Sequence, residues 1–285
     1  EGTIVKGVNT IEEMVQGLVK PRKIMMLVPA GKPVDSVIAN LLPHLEKGDI
    51  VIDGGNSFYK DTLQRIDYLQ EKGIHFFGMG VSGGEMGARI GPSMMPGGDK
   101  EAYKYLQPLL EAIAAQAKDG EPCVAYMGNG AAGHYVKMVH NGIEYAIMQL
   151  IAETYHLLKK YAGLNDEELS RVYQKWNKGK LQSFLVEITS AIFLQDDTDT
   201  KEKIINIISD TAHQKGTGAW MSEDAMVIQQ PIPLIDAAVS QRAISAMRDE
   251  RLKAAKLIAV NNLSFSGNKQ EYIDNVADAL FFGTI

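Results

Sequence analysis

Short apolar runs alternate with amphipathic stretches along the first 130 residues of the chain. Each apolar run has the length of one strand, and each amphipathic stretch repeats its apolar residues at helical spacing. The pattern predicts strands at residues 23–28, 49–53, 74–79, 93–96 and 123–127. It predicts helices at residues 10–18, 33–46, 60–72 and 100–118. Apolar strands that alternate with helices indicate a largely parallel sheet that is covered on both faces.

From about residue 131 onward the pattern is that of helices alone. It predicts helices at residues 135–160, 165–176, 181–194, 201–211 and 234–260, and another that begins at residue 223. Two helix starts carry candidate N-caps, namely Thr10, with Glu13 completing a capping box, and Asn165 or Asp166. The chain is therefore predicted to be an α/β parallel sheet over residues 1–130, followed by an all-α helical domain over residues 131–285.

The helix predicted at 135–160 carries an unusual row of polar residues. Because positions i, i+3, i+4 and i+7 share one face of a helix, Lys137, His140, Asn141 and Glu144 line up, and Tyr145 flanks them. A solvated surface face would be the ordinary interpretation of such a row. The other faces are too apolar for an ordinary surface helix, so the row is interpreted as the wall of a cleft.

Two glycine-rich segments follow predicted strands of the first domain. Residues 53–57 read Asp-Gly-Gly-Asn-Ser, and residues 80–87 read Gly-Val-Ser-Gly-Gly-Glu-Met-Gly. Ligands of parallel sheets bind beyond the carboxyl ends of the strands, and glycine lets the backbone approach them closely. Each segment alone is weak support, since tight turns also use glycine. Two such segments at successive strand ends favour a binding site there.

Composition narrows the class of protein. The chain has 285 residues, of which 45% are hydrophobic and 22% charged, which is typical of a soluble globular protein. No apolar run approaches a membrane span, and a formal net charge of −6 argues against a general nucleic-acid binder. Cys123 is the only cysteine, so an intramolecular disulfide is excluded and a cytoplasmic setting is expected. The six histidines show no ligand spacing, and no metal site is predicted.

Several motifs together resemble one enzyme family, the decarboxylating 6-phosphogluconate dehydrogenases. The segments that carry the resemblance are Val51-Ile-Asp-Gly-Gly-Asn-Ser, Gly80-Val-Ser-Gly-Gly-Glu, Gly91-Pro-Ser-Met-Met-Pro-Gly-Gly, Gly120-Glu-Pro-Cys, Gly133-His-Tyr-Val-Lys-Met-Val-His-Asn-Gly-Ile-Glu-Tyr, Lys215-Gly-Thr-Gly and Arg248-Asp-Glu-Arg. The run His-Asn-Gly-Ile-Glu-Tyr is the most specific of them. The resemblance implies oxidative decarboxylation of 6-phosphogluconate to ribulose 5-phosphate, a reaction of the pentose phosphate pathway.

The resemblance assigns two catalytic residues. Lys137 matches the general base that takes the proton of the substrate's 3-hydroxyl, and later returns a proton to the carbonyl oxygen. Glu144 matches the acid that protonates C1 of the enediol left by the loss of carbon dioxide. Both lie on the polar row described above, which is consistent with these roles.

The resemblance also assigns binding residues. Those matching substrate contacts are Asn56, Ser82, Gly83, Gly84, His140, Asn141, Tyr145, Lys215, Thr217 and Arg242. The last four of these match the family's phosphate cradle. Those matching cofactor contacts are Val28, Pro29, Ala30, Asn56 and Glu85. Lysine and arginine suit a phosphate on general grounds, one as a mobile point charge and the other as a planar fork.

The sequence departs from the family pattern in places that concern the cofactor. The resemblance implies NADP as the cofactor. Pro29 stands where many members carry a cofactor-contacting lysine, and Ala219 replaces a lysine after the Lys-Gly-Thr-Gly turn, so NAD is kept as the alternative. The family's first strand, its glycine-rich phosphate turn, and its last helices and tail are not among these residues. The first domain is thus expected to be the remainder of a Rossmann-like dinucleotide-binding domain. Residues 131–285 are expected to be the first part of the helical substrate and dimerisation domain.

Two other functions remain open at this stage. The chain could be another β-hydroxyacid dehydrogenase, acting on 3-hydroxyisobutyrate or gluconate, although Lys215, Thr217 and Arg242 argue for a phosphorylated substrate. It could also be a catalytically incomplete fragment that only binds substrate or dimerises. A homodimer is expected from the family alone.

Overall fold

The computed structural model describes residues 5–214, 216–258 and 265–285. The chain forms two compact units, Glu1–His140 and Asn141–Ile285. The division falls inside one long helix, whereas the change of pattern along the sequence falls near residue 130. No helix of the described ranges is long and apolar enough to cross a membrane.

The first unit is built on a four-stranded sheet. Its strands are β1 (Lys23–Met26), β2 (Ile50–Asp53), β3 (His75–Ser82) and β4 (Ser93–Gly97), in the order β1-β2-β3-β4. The first three are parallel, as predicted, but β4 runs antiparallel to β3. The strand predicted at residues 123–127 is wrong as a continuous element. Only isolated parallel bridges join Val124 to Met94 and Gly128 to Gly97.

Helices cover both faces of the sheet. They are α1 (Ile11–Gln16), α2 (Lys32–Leu41), α3 (Tyr59–Gln70), α4 (Gly84–Ile90) and α5 (Lys100–Ile113), with a 3-10 turn at Leu42–His44. Alternate residues of β2 enter opposite cores: Val51 packs among the residues of α2 and α3, whereas Ile50 and Ile52 pack among those of α5. This two-sided burial explains why the strands are apolar throughout.

The first helix begins at its predicted cap. The backbone N–H of Glu13 donates to Thr10 Oγ1 at 3.1 Å. This N–H lies in the first turn and has no carbonyl partner within the helix, so the threonine side chain satisfies it. The returning bond differs from the predicted capping box, because Glu13 Oε2 accepts from the N–H of Asn9 rather than from that of Thr10.

Helix α6 (Ala132–His156) meets the sheet backbone to backbone. A Cβ built on Gly133 would lie 2.1 Å from the carbonyl oxygen of Gly78 on β3 and 2.2 Å from that of Met95 on β4. A Cβ on Gly97 would lie 2.2 Å from the amide nitrogen of Gly133. We call this contact of Gly78, Gly97 and Gly133 the glycine seat. Only glycine allows so close an approach of helix and strand.

The second unit contains helices only within the described residues. After α6 and a π-helical turn at Leu157–Tyr161 come α7 (Asp166–Trp176), α8 (Phe184–Ile192), α9 (Ile204–Ile207), α10 (Thr217–Val227), α11 (Pro233–Ala246), α12 (Arg248–Leu257) and α13 (Lys269–Thr284). Its core gathers the fully buried side chains of Leu158, Leu169, Tyr173, Phe193 and Leu280. Asn165 caps α7 through a complete capping box with Glu168.

Three helix predictions for this unit are wrong in extent, and α13 has no counterpart among the predictions. The helix expected at 201–211 is a single turn, because the chain beyond Ile208 is extended and Asp210 pairs with Arg248 and Arg251. Helix α10 begins at Thr217 rather than at residue 223, since Gly216 adopts φ 98° and turns the chain into the helix. The helix expected at 234–260 is broken at Met247.

Replacing Gly133 with alanine tests the glycine seat. Both carbonyl oxygens that the new Cβ would meet belong to the backbone, so neither can rotate away. We expect the free energy of unfolding, measured by urea titration with circular dichroism, to fall by about 3 kcal/mol or more. Gly179→Ala is the matched control, because the only atom near its added Cβ is Trp176 O at 3.8 Å. Equal stability of the two variants would contradict the contact.

Candidate active site

The turn that carries Asn56 is fixed by a buried carboxylate. Asp53 ends β2 and is fully buried, and its Oδ1 accepts the backbone N–H of Gly55 at 2.9 Å. Its Oδ2 accepts the hydroxyl of Ser57 at 2.6 Å. Asn56 lies between these two anchors with its side chain exposed. Residues 53–57, here called the Asn56 turn, therefore present one predicted ligand-contacting amide from a rigid backbone.

A second loop lies directly beside this turn. Residues 27–31, here called the Val28 loop, follow β1, and the N–H of Gly54 donates to the carbonyl oxygen of Met26 at 3.0 Å. A Cβ on Gly55 would stand 3.0 Å from the carbonyl oxygen of Val28. Pro29 and Ala30 are exposed. The structure thus brings together four of the five predicted cofactor residues at the carboxyl ends of two parallel strands.

Glu85, the fifth predicted cofactor residue, lies on a different element, α4. It is in the first turn of α4, exposed, and paired with Arg89 at 2.8 Å. The glycine-rich segment 80–87 is accordingly the end of β3 followed by a helix. Gly83, with φ 133°, is the residue before α4, and Gly84 begins it. Ser82 is the last residue of β3 and is partly buried.

Lys137 is buried on α6, with 7% of its surface exposed. Its side-chain stem lies on β3, because a Cβ added to Gly80 would stand 2.4 Å from Lys137 Cβ and 3.0 Å from Lys137 Cγ. Residues two apart on a strand face the same side, so Ser82 faces the side of β3 on which Lys137 lies. Lys137 and Ser82 therefore lie on the same face of β3.

The predicted polar row lies on a continuous stretch of α6, as the sequence indicated. Lys137 is buried, whereas His140, Asn141 and Glu144 are each partly exposed. The apolar faces are less completely buried than expected, since Ile143 is 46% exposed. Lys137 is therefore the most buried member of the row.

A buried histidine that the sequence analysis did not single out ties α6 to the Asn56 turn. His134 Nε2 is 3.1 Å from the carbonyl oxygen of Asp53, and Nδ1 is 2.7 Å from Thr62 Oγ1. A carbonyl oxygen can only accept, so Nε2 carries the proton and Nδ1 accepts from the threonine hydroxyl. Burial lowers the pKa of His134 below its ordinary value, although the Asp53 carboxylate opposes this. The ring is neutral and lies one helical turn before Lys137.

The second unit brings together three of the four residues predicted to hold a phosphate. The guanidinium carbon of Arg242 stacks on the ring of Tyr145, 3.7 Å from its centroid. A Cβ on Gly218 would touch the same ring at 2.7 Å, so the first turn of α10, with buried Thr217, lies beside it. Arg242 Nη1 also donates to the carbonyl oxygen of His213 at 2.8 Å. Lys215, the fourth, lies outside the described residues.

An aspartate and two arginines anchor the segment that leads to this cradle. Asp210 accepts from Arg248 Nε at 3.0 Å and from Arg251 Nη1 at 2.8 Å. The hydrogen bonds from Arg251 and then Arg248 lower the pKa of the Asp210 carboxyl. Arg251 also donates to the carbonyl oxygen of Ser245 near the end of α11. The motif Arg248-Asp-Glu-Arg251 was visible in the sequence, but no neighbouring residue indicated that its two arginines pair with the distant Asp210.

Comparisons with known proteins agree on one family. Residues 1–128 match the family model described as the NAD binding domain of 6-phosphogluconate dehydrogenase, and residues 133–285 match the one described as its C-terminal domain. The chain is 52% identical over its full length to the NADP(+)-dependent, decarboxylating 6-phosphogluconate dehydrogenase of Bacillus subtilis. The match spans 61% of that relative, so the chain covers about three fifths of the length of the relatives it resembles.

Solved structures give the same result. The chain superimposes with a TM-score of 0.92 on 6-phosphogluconate dehydrogenase of Plasmodium falciparum, at 43% identity, covering 98% of this chain and 60% of that one. That protein was solved with its cofactor NADP+ and with its substrate 6-phosphogluconate. A 3-hydroxyisobutyrate dehydrogenase of Salmonella typhimurium aligns with a TM-score of 0.63, over 84% of this chain and 78% of that one. At 16% sequence identity, this similarity shows the fold alone. The predicted fold class, a Rossmann-like sheet followed by helices, is confirmed.

Neutral His134 makes stability depend on pH. In the unfolded chain a histidine takes up a proton near its ordinary pKa of about 6.5, whereas buried His134 does so only at lower pH. Stability is therefore fully present above about pH 7 and is lost as the pH falls below 6.5, by up to about 1.4 kcal/mol per pH unit. Urea unfolding at pH 7.5 and pH 5.5 measures this loss. His134→Gln should show a smaller loss over that interval, and an equal loss would contradict the assignment.

Proposed function

The chain belongs to the 6-phosphogluconate dehydrogenase family, and we propose that the protein containing it oxidises and decarboxylates 6-phosphogluconate to ribulose 5-phosphate and carbon dioxide. The observation that carries the proposal is the polar row of α6, on which Lys137 and Glu144 occur at helical spacing within a helix seated on the sheet by glycine. The domains would be the remainder of the dinucleotide-binding domain at residues 1–130 and the first part of the substrate domain at 131–285.

Lys137 is proposed as the general base. Lys137 is buried against Gly80, which fixes the positions of its Cβ and Cγ and so limits the positions that its amine can reach. In its neutral form the amine takes the proton of the substrate's 3-hydroxyl as that carbon is oxidised. The resulting ammonium then donates to the new carbonyl oxygen, which stabilises the negative charge that develops there while carbon dioxide leaves.

Glu144 is proposed as the acid that completes the reaction. Loss of carbon dioxide leaves an enediol whose C1 must gain a proton, and Glu144 lies two helical turns beyond Lys137 on the same row. Lys137 would take the first proton at oxygen, and Glu144 would deliver the last proton at carbon. His140 and Asn141, between them on the helix, would orient the substrate hydroxyls.

The rest of the substrate would be held at its two ends. Ser82, Gly83 and Gly84, with Asn56, suit the carboxylate and neighbouring hydroxyls, because glycine backbones offer N–H groups at close range. Tyr145, Thr217, Arg242 and Lys215 suit the phosphate. Stacking on Tyr145 holds the Arg242 guanidinium at a fixed height and orientation, which prepares it for bidentate contact with an anion.

NADP is the proposed cofactor, with NAD as the alternative. The Val28 loop and the Asn56 turn fit such a ligand: they are adjacent, exposed and placed at the carboxyl ends of parallel strands. When bound, the nicotinamide supplies the acceptor for the hydride of the substrate.

Cytoplasmic location and a homodimer are also proposed. The exposed apolar side chains of Met226, Val227 and Ile228 at the end of α10 are consistent with a protein partner.

A spectrophotometric assay of the complete gene product that contains this sequence tests the proposal. It is run with 6-phosphogluconate and either NADP or NAD, with gluconate and 3-hydroxyisobutyrate as rival substrates. Turnover of 6-phosphogluconate with release of carbon dioxide is the expected result. Preference for an unphosphorylated acid would instead support another β-hydroxyacid dehydrogenase.

Lys137→Met tests the base. Methionine keeps the apolar stem that lies on Gly80 and removes the amine, so the fold is expected to persist. We expect kcat to fall by about 10²–10⁴-fold, the usual contribution of general acid–base catalysis. Lys118→Met, at an exposed position after α5, is the control and should retain full activity. Turnover within twofold of the unsubstituted enzyme would remove Lys137 from the mechanism.

Arg242→Met tests the phosphate cradle. A charge-assisted hydrogen bond is worth about 1.5–3 kcal/mol, so KM for 6-phosphogluconate should rise about 10- to 100-fold. Inhibition by inorganic phosphate should weaken in parallel. Arg171→Met, which removes an exposed arginine of α7, is the control. An unchanged KM, or an equal loss in both variants, would separate Arg242 from the phosphate.

A further inference from the structure

One arginine of the first unit is buried without belonging to any predicted site. Arg65 lies on α3, and only 7% of its side chain is exposed. Its Nε donates to Asp35 Oδ1 at 2.7 Å, and its Nη2 donates to the carbonyl oxygen of Gly31 at 3.2 Å. Nη1 lies 3.9 Å from Asp53 Oδ2 and donates no hydrogen bond within the described part of the chain.

One of these contacts reaches the Val28 loop, and a second reaches the helix that follows it. Gly31 ends that loop with φ 85° and is the residue before α2, so its carbonyl direction sets how the chain enters the helix. Asp35 lies in the first turn of the same helix. Arg65 therefore donates hydrogen bonds both to Gly31, at the end of the Val28 loop, and to Asp35, in helix α2.

The third contact reaches the Asn56 turn. The fully buried carboxylate of Asp53 already accepts the Gly55 amide and the Ser57 hydroxyl, which define that turn. A buried carboxylate is costly without an opposite charge nearby. The Arg65 guanidinium, whose Nη1 lies 3.9 Å from Asp53 Oδ2, supplies that opposite charge.

We propose that Arg65 is a positioning residue for the dinucleotide, which it serves by holding the Val28 loop and the Asn56 turn in register. Four of the five predicted cofactor residues, Val28, Pro29, Ala30 and Asn56, lie on these two segments. Arg65 touches none of the four and acts through Gly31 and Asp53. This inference rests on the proposed function, because it concerns the same cofactor.

Lysine cannot replace Arg65 in this role. Three contacts in three directions require the planar fork of a guanidinium, whereas an ammonium is a compact point charge that keeps the pairing with one carboxylate at most. Arg65→Lys therefore preserves charge and much of the volume while loosening one segment from the other.

A second buried arginine provides a matched control. Arg22 is 9% exposed at its side chain and pairs with Asp49 at 2.8 Å, immediately before β1 and β2 rather than after them. Arg22→Lys thus makes the same chemical change in the same sheet, at the end opposite the proposed cofactor residues. Both variants are made in the complete gene product. The readouts are the Kd for NADP by titration calorimetry, the Kd for 6-phosphogluconate and the Tm.

The expected result is a rise of about tenfold or more in the Kd for NADP of Arg65→Lys, with a smaller rise in the Kd for 6-phosphogluconate, because the two segments carry four proposed cofactor contacts but only one proposed substrate contact, Asn56. Arg22→Lys should lower the Tm by a similar amount yet leave the Kd for NADP within twofold. Asp35→Asn, at a side chain 57% exposed, is a milder second variant and should raise the Kd for NADP without loss of fold.

Two results would overturn the inference while leaving the proposed function intact. One is an unchanged Kd for NADP in both Arg65→Lys and Asp35→Asn. The other is an equal rise in Arg65→Lys and Arg22→Lys, which would make Arg65 a general stabilising residue. Failure of the unsubstituted protein to bind NADP or NAD would overturn the proposed function, and the inference with it.

Discussion

The contact between α6 and the sheet is the constraint on which the rest of the first unit depends. Gly133 meets the carbonyl oxygens of Gly78 and Met95, and no side chain separates the two backbones. A helix held in this way cannot slide or rotate without breaking contacts along its whole first turn. The position of Lys137, one turn further on, is therefore set by backbone geometry rather than by the packing of flexible groups.

A group of buried polar residues adjoins this contact. Asp53 Oδ2 lies 3.9 Å from Arg65 Nη1, and both ring nitrogens of His134 are satisfied, one by Asp53 O and the other by Thr62 Oγ1. Each polar group there depends on another, since a buried donor or acceptor without a partner costs free energy. The carboxyl end of β2, the helix α3 and the start of α6 are linked through these few side chains.

The sequence predicted what depends on local pattern and on recognisable motifs. The three parallel strands, their two-sided burial and the polar row of α6 follow from periodicity, and the family follows from motifs such as His140-Asn-Gly-Ile-Glu-Tyr. The antiparallel direction of β4 was not predictable, because an apolar run is the same read either way. Likewise, Arg65 and His134 look like ordinary helix residues until distant partners such as Gly31, 34 positions away, are known.

The way Lys137 rests on Gly80 limits how its amine can move. The strand carries no side chain at that point, so Cβ and Cγ lie against bare backbone and the first torsion of the lysine has little freedom. Only the torsions near the end of the chain remain to swing the nitrogen. The nitrogen of Lys137 is therefore confined to a short arc about the fixed start of its side chain.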